Sequence, residues 1–303
     1  MARPALAATR AMEVLRFLAA HPTDSFTLTE LSEHLGINGA SIHAVLQALV
    51  QAGTLCRHPV HRTYGLGPAV IALGHAALER HRAVDRARDE MRRLGQELDL
   101  ELLATVVVGE EMLAVARAGP HQPAPTTLRV GQRVPLVPPL GLVFLAWAEE
   151  PEVAAWLSRA GIDARGAEAK PYRELLAAVR RRGYSVALRP AARGQLGEVV
   201  AHLAEAPHDA ALRARLQHWL AELGREDYQL SDMAPGARYD VSLVGAPVFD
   251  SRGRVALALW ALGFRAPLGT PALLQLAERV RGAALLVTRA THGTVPPARG
   301  QNP

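Results

Sequence analysis

The sequence predicts an α+β protein of two domains: a small helical one ending in a two-stranded ribbon, then a larger one built on an antiparallel sheet flanked by helices. Three observations predict it. At 303 residues the chain is long for one hydrophobic core. Its first eighty residues space their apolar positions as helices do, around a short turn with glycine at both ends. From Glu101 onward extended runs pair through tight turns, with helical stretches between them in no strict alternation. The boundary falls near residue 80, giving domains 1–80 and 81–303.

In residues 9–20, Ala11, Val14, Leu15 and Leu18 form one helical face, and His21-Pro22 stops the helix. Thr27-Leu28-Thr29-Glu30 reads as a capping box opening a second helix with Leu28, Leu31 and Leu35 inward. Gly36-Ile37-Asn38-Gly39 makes a tight turn. A third helix follows with Ile42, Val45, Leu46 and Leu49 inward, ended by Gly53. Two short extended runs, Thr54–Arg57 and Arg62–Leu66, complete a winged helix-turn-helix.

That arrangement fits duplex DNA for a geometric reason: one helix fills the major groove while its predecessor braces against the backbone. The inward face of the third helix fixes its outward one, Ala40, Ser41, His43, Ala44 and Gln47. Hydroxyl, imidazole and amide groups can hydrogen-bond bases or phosphates, and alanine methyls can touch thymine. Arg57 and Arg62 on the wing, with Thr9 and Arg10 at the start of the first helix, are phosphate candidates. Against this stand plainer readings: a surface histidine at 43, an ordinary helix former at 47, solvated hairpin ends at 57 and 62. Residues 1–75 carry five arginines and four acidic residues, so charge alone does not decide.

Pro68 opens a helix to about Glu79, and residues 76–93 form a mixed-charge helical face where helices of two subunits can pack. Leu102–Val108 and Met112–Ala118 read as a hairpin, Thr126–Leu136 as a further extended run. Gly141–Glu149 and Glu152–Ala160 look helical. A helix from Pro171 ends at Arg182-Gly183, followed by strand Tyr184–Leu188. Asp240–Phe249 and Arg254–Leu262 form a second hairpin, and Pro271–Arg289 a closing helix.

The net charge of +5 and an isoelectric point of about 9.9 suit a polyanion softly. A single cysteine, Cys56, excludes an internal disulfide framework and a multi-cysteine zinc site; burial on the wing strand is its expected state. There is no long apolar run for a membrane span and no apolar core of a secretory signal, so a cytoplasmic protein is expected. No nucleophile elbow and no phosphate-cradling loop occurs, so no catalytic residue, metal ligand or cofactor is assigned and an enzyme is not expected. His208-Asp209 reads as a helix start.

The run from Thr9-Arg10-Ala11 through Thr27–Gly36, Ser41-Ile42-His43 and Leu49–Gly53 to Tyr64-Gly65-Leu66-Gly67 resembles the DNA-binding half of IclR-type transcriptional regulators. Arg129-Val130-Gly131, Val134-Pro135-Leu136, Leu140-Gly141, Arg182-Gly183-Tyr184 and Gly245–Asp250 resemble that family's effector-binding domain, a sheet related to GAF domains. Relatives usually carry a basic residue early in the recognition helix and an arginine after the histidine. Here Gly39 and Ala44 stand there, which implies a different operator or weaker binding. Relatives also cross from Tyr184 to Asp240 in a much shorter stretch, so about 190–238 reads as an insertion; Asp209, Leu212, Leu216, Leu220 and Leu223 place an amphipathic helix in it.

The resemblance implies a double-stranded DNA operator, a small-molecule effector and a homodimer or homotetramer. It places the effector at Pro139, Leu140, Leu243, Trp260 and Leu262. Polar groups for a carboxylate are largely missing from those positions, so a hydrophobic or aromatic ligand is expected, with Trp260 stacking on a ring. Arg189, Arg193 and Arg238 are anchors should the ligand carry a carboxylate. The expected function is a DNA-binding regulator, a repressor, tuned by that effector. The alternative is a ligand-binding or scaffolding protein whose winged helix contacts protein instead.

Overall fold

The computed structural model describes residues 5–119, 128–189, 191–206, 208–225 and 228–297. Its first domain packs helices α1 (Leu6–Ala20), α2 (Leu28–Leu35) and α3 (Gly39–Gln51) against the hairpin β1 (Leu55–Arg57) and β2 (Tyr64–Leu66). The apolar stripes meet as expected: Val14, Leu18, Leu31, Ile42 and Leu46 are fully buried in one cluster. The capping box forms, Thr27 N–H donating to Glu30 Oε2 at 2.7 Å and Glu30 N–H to Thr27 Oγ1 at 3.3 Å. Gly36 closes α2 with φ +62, a left-handed conformation that costs glycine little.

The bonds from the Thr27 backbone and hydroxyl hold the Glu30 carboxyl below its ordinary pKa. A lowered folded-state value means the cap contributes above the ordinary carboxylate pKa and is lost as pH falls through the lowered one. Thr27→Ala should therefore lower the melting temperature by several degrees at neutral pH, and the deficit should shrink in acid. Thermal melts of both proteins across that range check the sign.

Helices α4 (Ala69–Arg80) and α5 (Arg82–Leu98) lead into the second domain. There β3 (Glu101–Val108), β4 (Glu111–Ala118) and β5 (Arg133–Pro135) precede α6 (Leu142–Leu145), α7 (Glu150–Ser158) and α8 (Lys170–Arg182). After β6 (Ser185–Leu188) come α9 (Ala191–Glu205) and α10 (Ala210–Arg225). Strands β7 (Arg238–Tyr239), β8 (Val241–Phe249), β9 (Val255–Leu262) and β10 (Leu268–Gly269) precede the closing α11 (Thr270–Ala290). A six-stranded antiparallel sheet runs β5-β4-β3-β9-β8-β6, and β7 pairs with β10 in a separate ribbon.

Strand alternation sorts the sheet into two faces. Leu257, Leu259 and Ala261 of β9 pack with Val244 and Ala246 of β8 under α5 and α11. Ala258, Trp260 and Leu262 point the other way, with Leu243, toward α6, α7, α8 and the α9–α10 pair. A bulge in the β3–β4 pairing changes the register at Ala104/Thr105. It reverses the facing of β4, so Ala116 joins the first face while Ala114 and Met112 join the second.

Three expectations need correction. Cys56 is exposed, because β1 turns Leu55 inward and its neighbour outward. The stretch 141–149 forms only the single turn Leu142–Leu145, since extended Glu149 caps α7 and breaks the continuity. Within 126–136 the strand is only Arg133–Pro135; residues 126 and 127 lie outside the described residues. The helix expected from Asp209 to Leu223 forms as α10, with Asp209 Oδ1 accepting from the N–H groups of Ala211 and Leu212 at its start, and α9 precedes it in the same insertion.

Candidate nucleic-acid interface and ligand cavity

α3 begins at Asn38, whose side-chain oxygen accepts from Ser41 N–H at 3.0 Å. Burying Ile42, Val45 and Leu46 forces the opposite side of the helix into solvent. Ala40, His43, Ala44 and Gln47 are exposed and Ser41 is half-buried. The exposed Arg57 guanidinium lies 5.6 Å from the centre of the Tyr64 ring, and exposed Arg62 sits beyond it in a left-handed conformation, φ +56. At the start of α1, Thr9 is exposed and donates its hydroxyl to Ala5 O at 3.3 Å, while Arg10 is half-buried. Sequence reasoning missed the wing tip: His58 Nδ1 accepts from the N–H groups of Val60 and His61, and the two imidazoles stand 4.6 Å apart. Their position at the turn between two strands was the available signal.

The second domain encloses a cavity of about 360 Å³ on the sheet face opposite α5 and α11. Leu103, Leu243, Trp260 and Leu262 form its floor, Met112, Val134 and Leu140 a side, and Leu196 and Val200 of α9 its cover. Trp260 is held in two ways. Its Nε1–H donates to Thr105 Oγ1 at 2.8 Å, and its ring lies over Gly245, where any Cβ would collide with it. The turn carrying Leu140 is pinned by Trp156 Nε1–H on Leu140 O at 3.0 Å and Arg159 on Leu136 O at 2.9 Å.

Of the five expected positions, Leu140, Leu243, Trp260 and Leu262 line the cavity; Pro139 is buried in the same turn but stops short of the wall. The expectation of a lining nearly free of polar groups is corrected by Thr105, Ser185, Arg189, Gln229 and Ser242. Arg189 is among the anchor candidates; sequence reasoning did not place the other four because the strands and the segment after α10 that carry them meet only in the tertiary structure. Gln229 bridges Ala187, and Leu230 N–H donates to Val186 O at 2.9 Å. Arg189 donates to Asp240 Oδ1 at 3.3 Å and to Phe264 O at 2.9 Å. Arg238 is exposed and donates to Pro267 O, away from the cavity; the Arg193 side chain lies outside the described residues. Among the described residues no cluster of three or more metal-capable side chains occurs, and no helix is long and apolar enough to cross a membrane.

A family model for the IclR helix-turn-helix domain matches residues 7–59, and one for the bacterial transcriptional regulator IclR C-terminal region matches 75–190, stopping where α9 begins. The chain is 26% identical over 153 residues to the HTH-type transcriptional regulator XynR of Escherichia coli (strain K12), covering 49% of this chain and 59% of that protein. The chain thus spans less than two thirds of that relative's length. Its fold is similar to the IclR transcriptional regulator of Alicyclobacillus acidocaldarius, with TM-score 0.66 and 22% identity over 96% of this chain and 100% of that one. It is also similar to an IclR homolog of Microbacterium hydrocarbonoxydans solved with 4-hydroxybenzoate, with TM-score 0.59 and 20% identity over 94% of this chain and 99% of that one. Two models of one family cover more than half the chain between them, on a fold shared along nearly its whole length: the chain belongs to the IclR family of bacterial transcriptional regulators.

Proposed function

We propose that the chain is a cytoplasmic, DNA-binding repressor whose operator affinity is set by a small apolar or aromatic effector in the second domain. The observation that carries the first half is the split of α3, with Ile42, Val45 and Leu46 inside and His43, Ala44 and Gln47 free to enter a groove. The second half rests on the apolar walls around Trp260, which accept a ring without the desolvation a free carboxylate would suffer. The 4-hydroxybenzoate of the Microbacterium homolog has such a ring, although it also carries a carboxylate.

α9 offers the link between the halves. Leu196 and Val200 cover the cavity, while the same helix packs on α1, and His208 Nε2 stands 3.8 Å from Glu13 Oε1. A ligand that favours one seating of α9 changes the placement of the recognition helix through that difference. A homodimer or homotetramer is supported by α4, which has no buried residue. Its Ile71 and Leu73 are 75% and 62% exposed, and Ile71 shares a groove with Val107 and Val108. Paired heads meet half-sites on matching turns of the duplex.

Binding to duplex DNA from the protein's own upstream region should weaken steeply with salt, and the fragments it selects from its genome should share a two-fold sequence. Fluorescence anisotropy across salt concentrations measures the slope. An absence of affinity with and without aromatic compounds would leave the winged helix as a protein-contact module.

A further inference from the structure

The cavity walls are apolar, yet two polar atoms on them are buried and have no hydrogen-bond partner: Ser185 Oγ and Gln229 Oε1. Ser185 is 1% exposed. Both belong to one face of a local antiparallel pairing. Ala187 opposes Gln229, Leu188 N–H donates to Tyr228 O at 2.8 Å, and Ser185 lies two residues along β6 on the same side as Ala187. Unmet buried polar groups are costly and rare, so a pair of them facing one cavity points to what the cavity is shaped to receive.

Of the other polar groups there, Ser242 adds a neutral hydroxyl, while Thr105 and Arg189 are engaged within the protein. Thr105 Oγ1 accepts from Trp260. Arg189, the one charged residue on the lining, is matched by Asp240 and by the Phe264 and Val241 carbonyls. An anionic ligand would have to draw Arg189 off a carboxylate and bury a charge against apolar walls. A neutral ligand meets no such cost.

We propose that the effector is a neutral hydroxylated aromatic compound whose hydroxyl docks between Ser185 and Gln229. Its O–H donates to Gln229 Oε1, its oxygen accepts from the Ser185 hydroxyl, and its ring lies against Trp260, Leu243 and Leu262. A hydroxyl serves both atoms because it is donor and acceptor at once. This inference rests on the reading of the cavity as an effector site and adds the chemical class.

The test uses the full-length protein and three probes of one shape: 4-methylphenol, toluene and 4-methylbenzoate, with affinity by calorimetry and thermal shift. The expected result is 4-methylphenol about tenfold tighter than either of the others. In Ser185→Ala combined with Gln229→Leu the preference over toluene should fall to near parity, with toluene affinity unchanged or improved. That retained toluene binding shows that the variant is folded. Equal binding of 4-methylphenol and toluene by the unmodified protein, tightest binding of 4-methylbenzoate, or a tenfold preference surviving in the double variant each overturns the hydroxyl anchor while leaving an aromatic effector site standing. No binding of any probe overturns both.

Discussion

Trp156→Ala should be the most damaging single substitution in the second domain, costing about 3–5 kcal/mol. Trp156 is 0% exposed and its ring meets Tyr172 edge-on at 5.7 Å. Its removal leaves a cavity that the surrounding Val153, Leu157 and Leu223 cannot close without shifting elements of the sheet-covering layer. It also strands the Leu140 carbonyl, which accepts from Trp156 Nε1 in a buried setting. Leu140 lines the cavity proposed to hold the effector, so on that reading the loosened turn should also weaken the binding of aromatic probes. Trp156→Phe separates the two effects. It keeps most of the volume and loses the hydrogen bond, for about 1–3 kcal/mol. Urea unfolding of the three proteins gives the ranking. A loss below about 1 kcal/mol for Trp156→Ala would contradict the packing described here.

Ala44→Glu should weaken operator binding on the order of 100-fold or more without altering the melting temperature. Ala44 is exposed on α3 beside His43, so the new carboxylate disturbs no core contact but meets the phosphate field as the helix approaches the groove. Ala44→Arg should act in the opposite sense. It puts a guanidinium on the exposed face of α3, and binding should tighten while the slope of log affinity against log salt steepens by about one per phosphate gained. Anisotropy titrations at several salt concentrations read both effects. Equal affinities for the two variants would remove α3 from the interface.

What could be read from the sequence was whatever depends on near neighbours. The 3.6-residue spacing of Val14, Leu18, Ile42 and Leu46, the Thr27–Glu30 box, the left-handed turn at Gly36 and the β8–β9 hairpin all came out where local chemistry put them. The outward face of α3 followed, because burying one side of a helix exposes the other. Short-range pattern failed wherever a residue's fate hangs on pairing. Cys56 turned outward with the alternation of a three-residue strand, and Glu149 ended one helix in order to cap the next.

The cavity is the fullest case of what only the tertiary structure decided. Its anchor bond joins Thr105 to Trp260, 155 residues apart, because the sheet order seats β3 beside β9. The bulge in β4 then aims Met112 at the same space, and the segment after α10 sets Gln229 opposite Ala187, so that it lines the cavity with Ser185. Periodicity reports which side of an element is buried. It carries no information on which distant element shares that side, because the choice is made by the summed burial of the whole sheet.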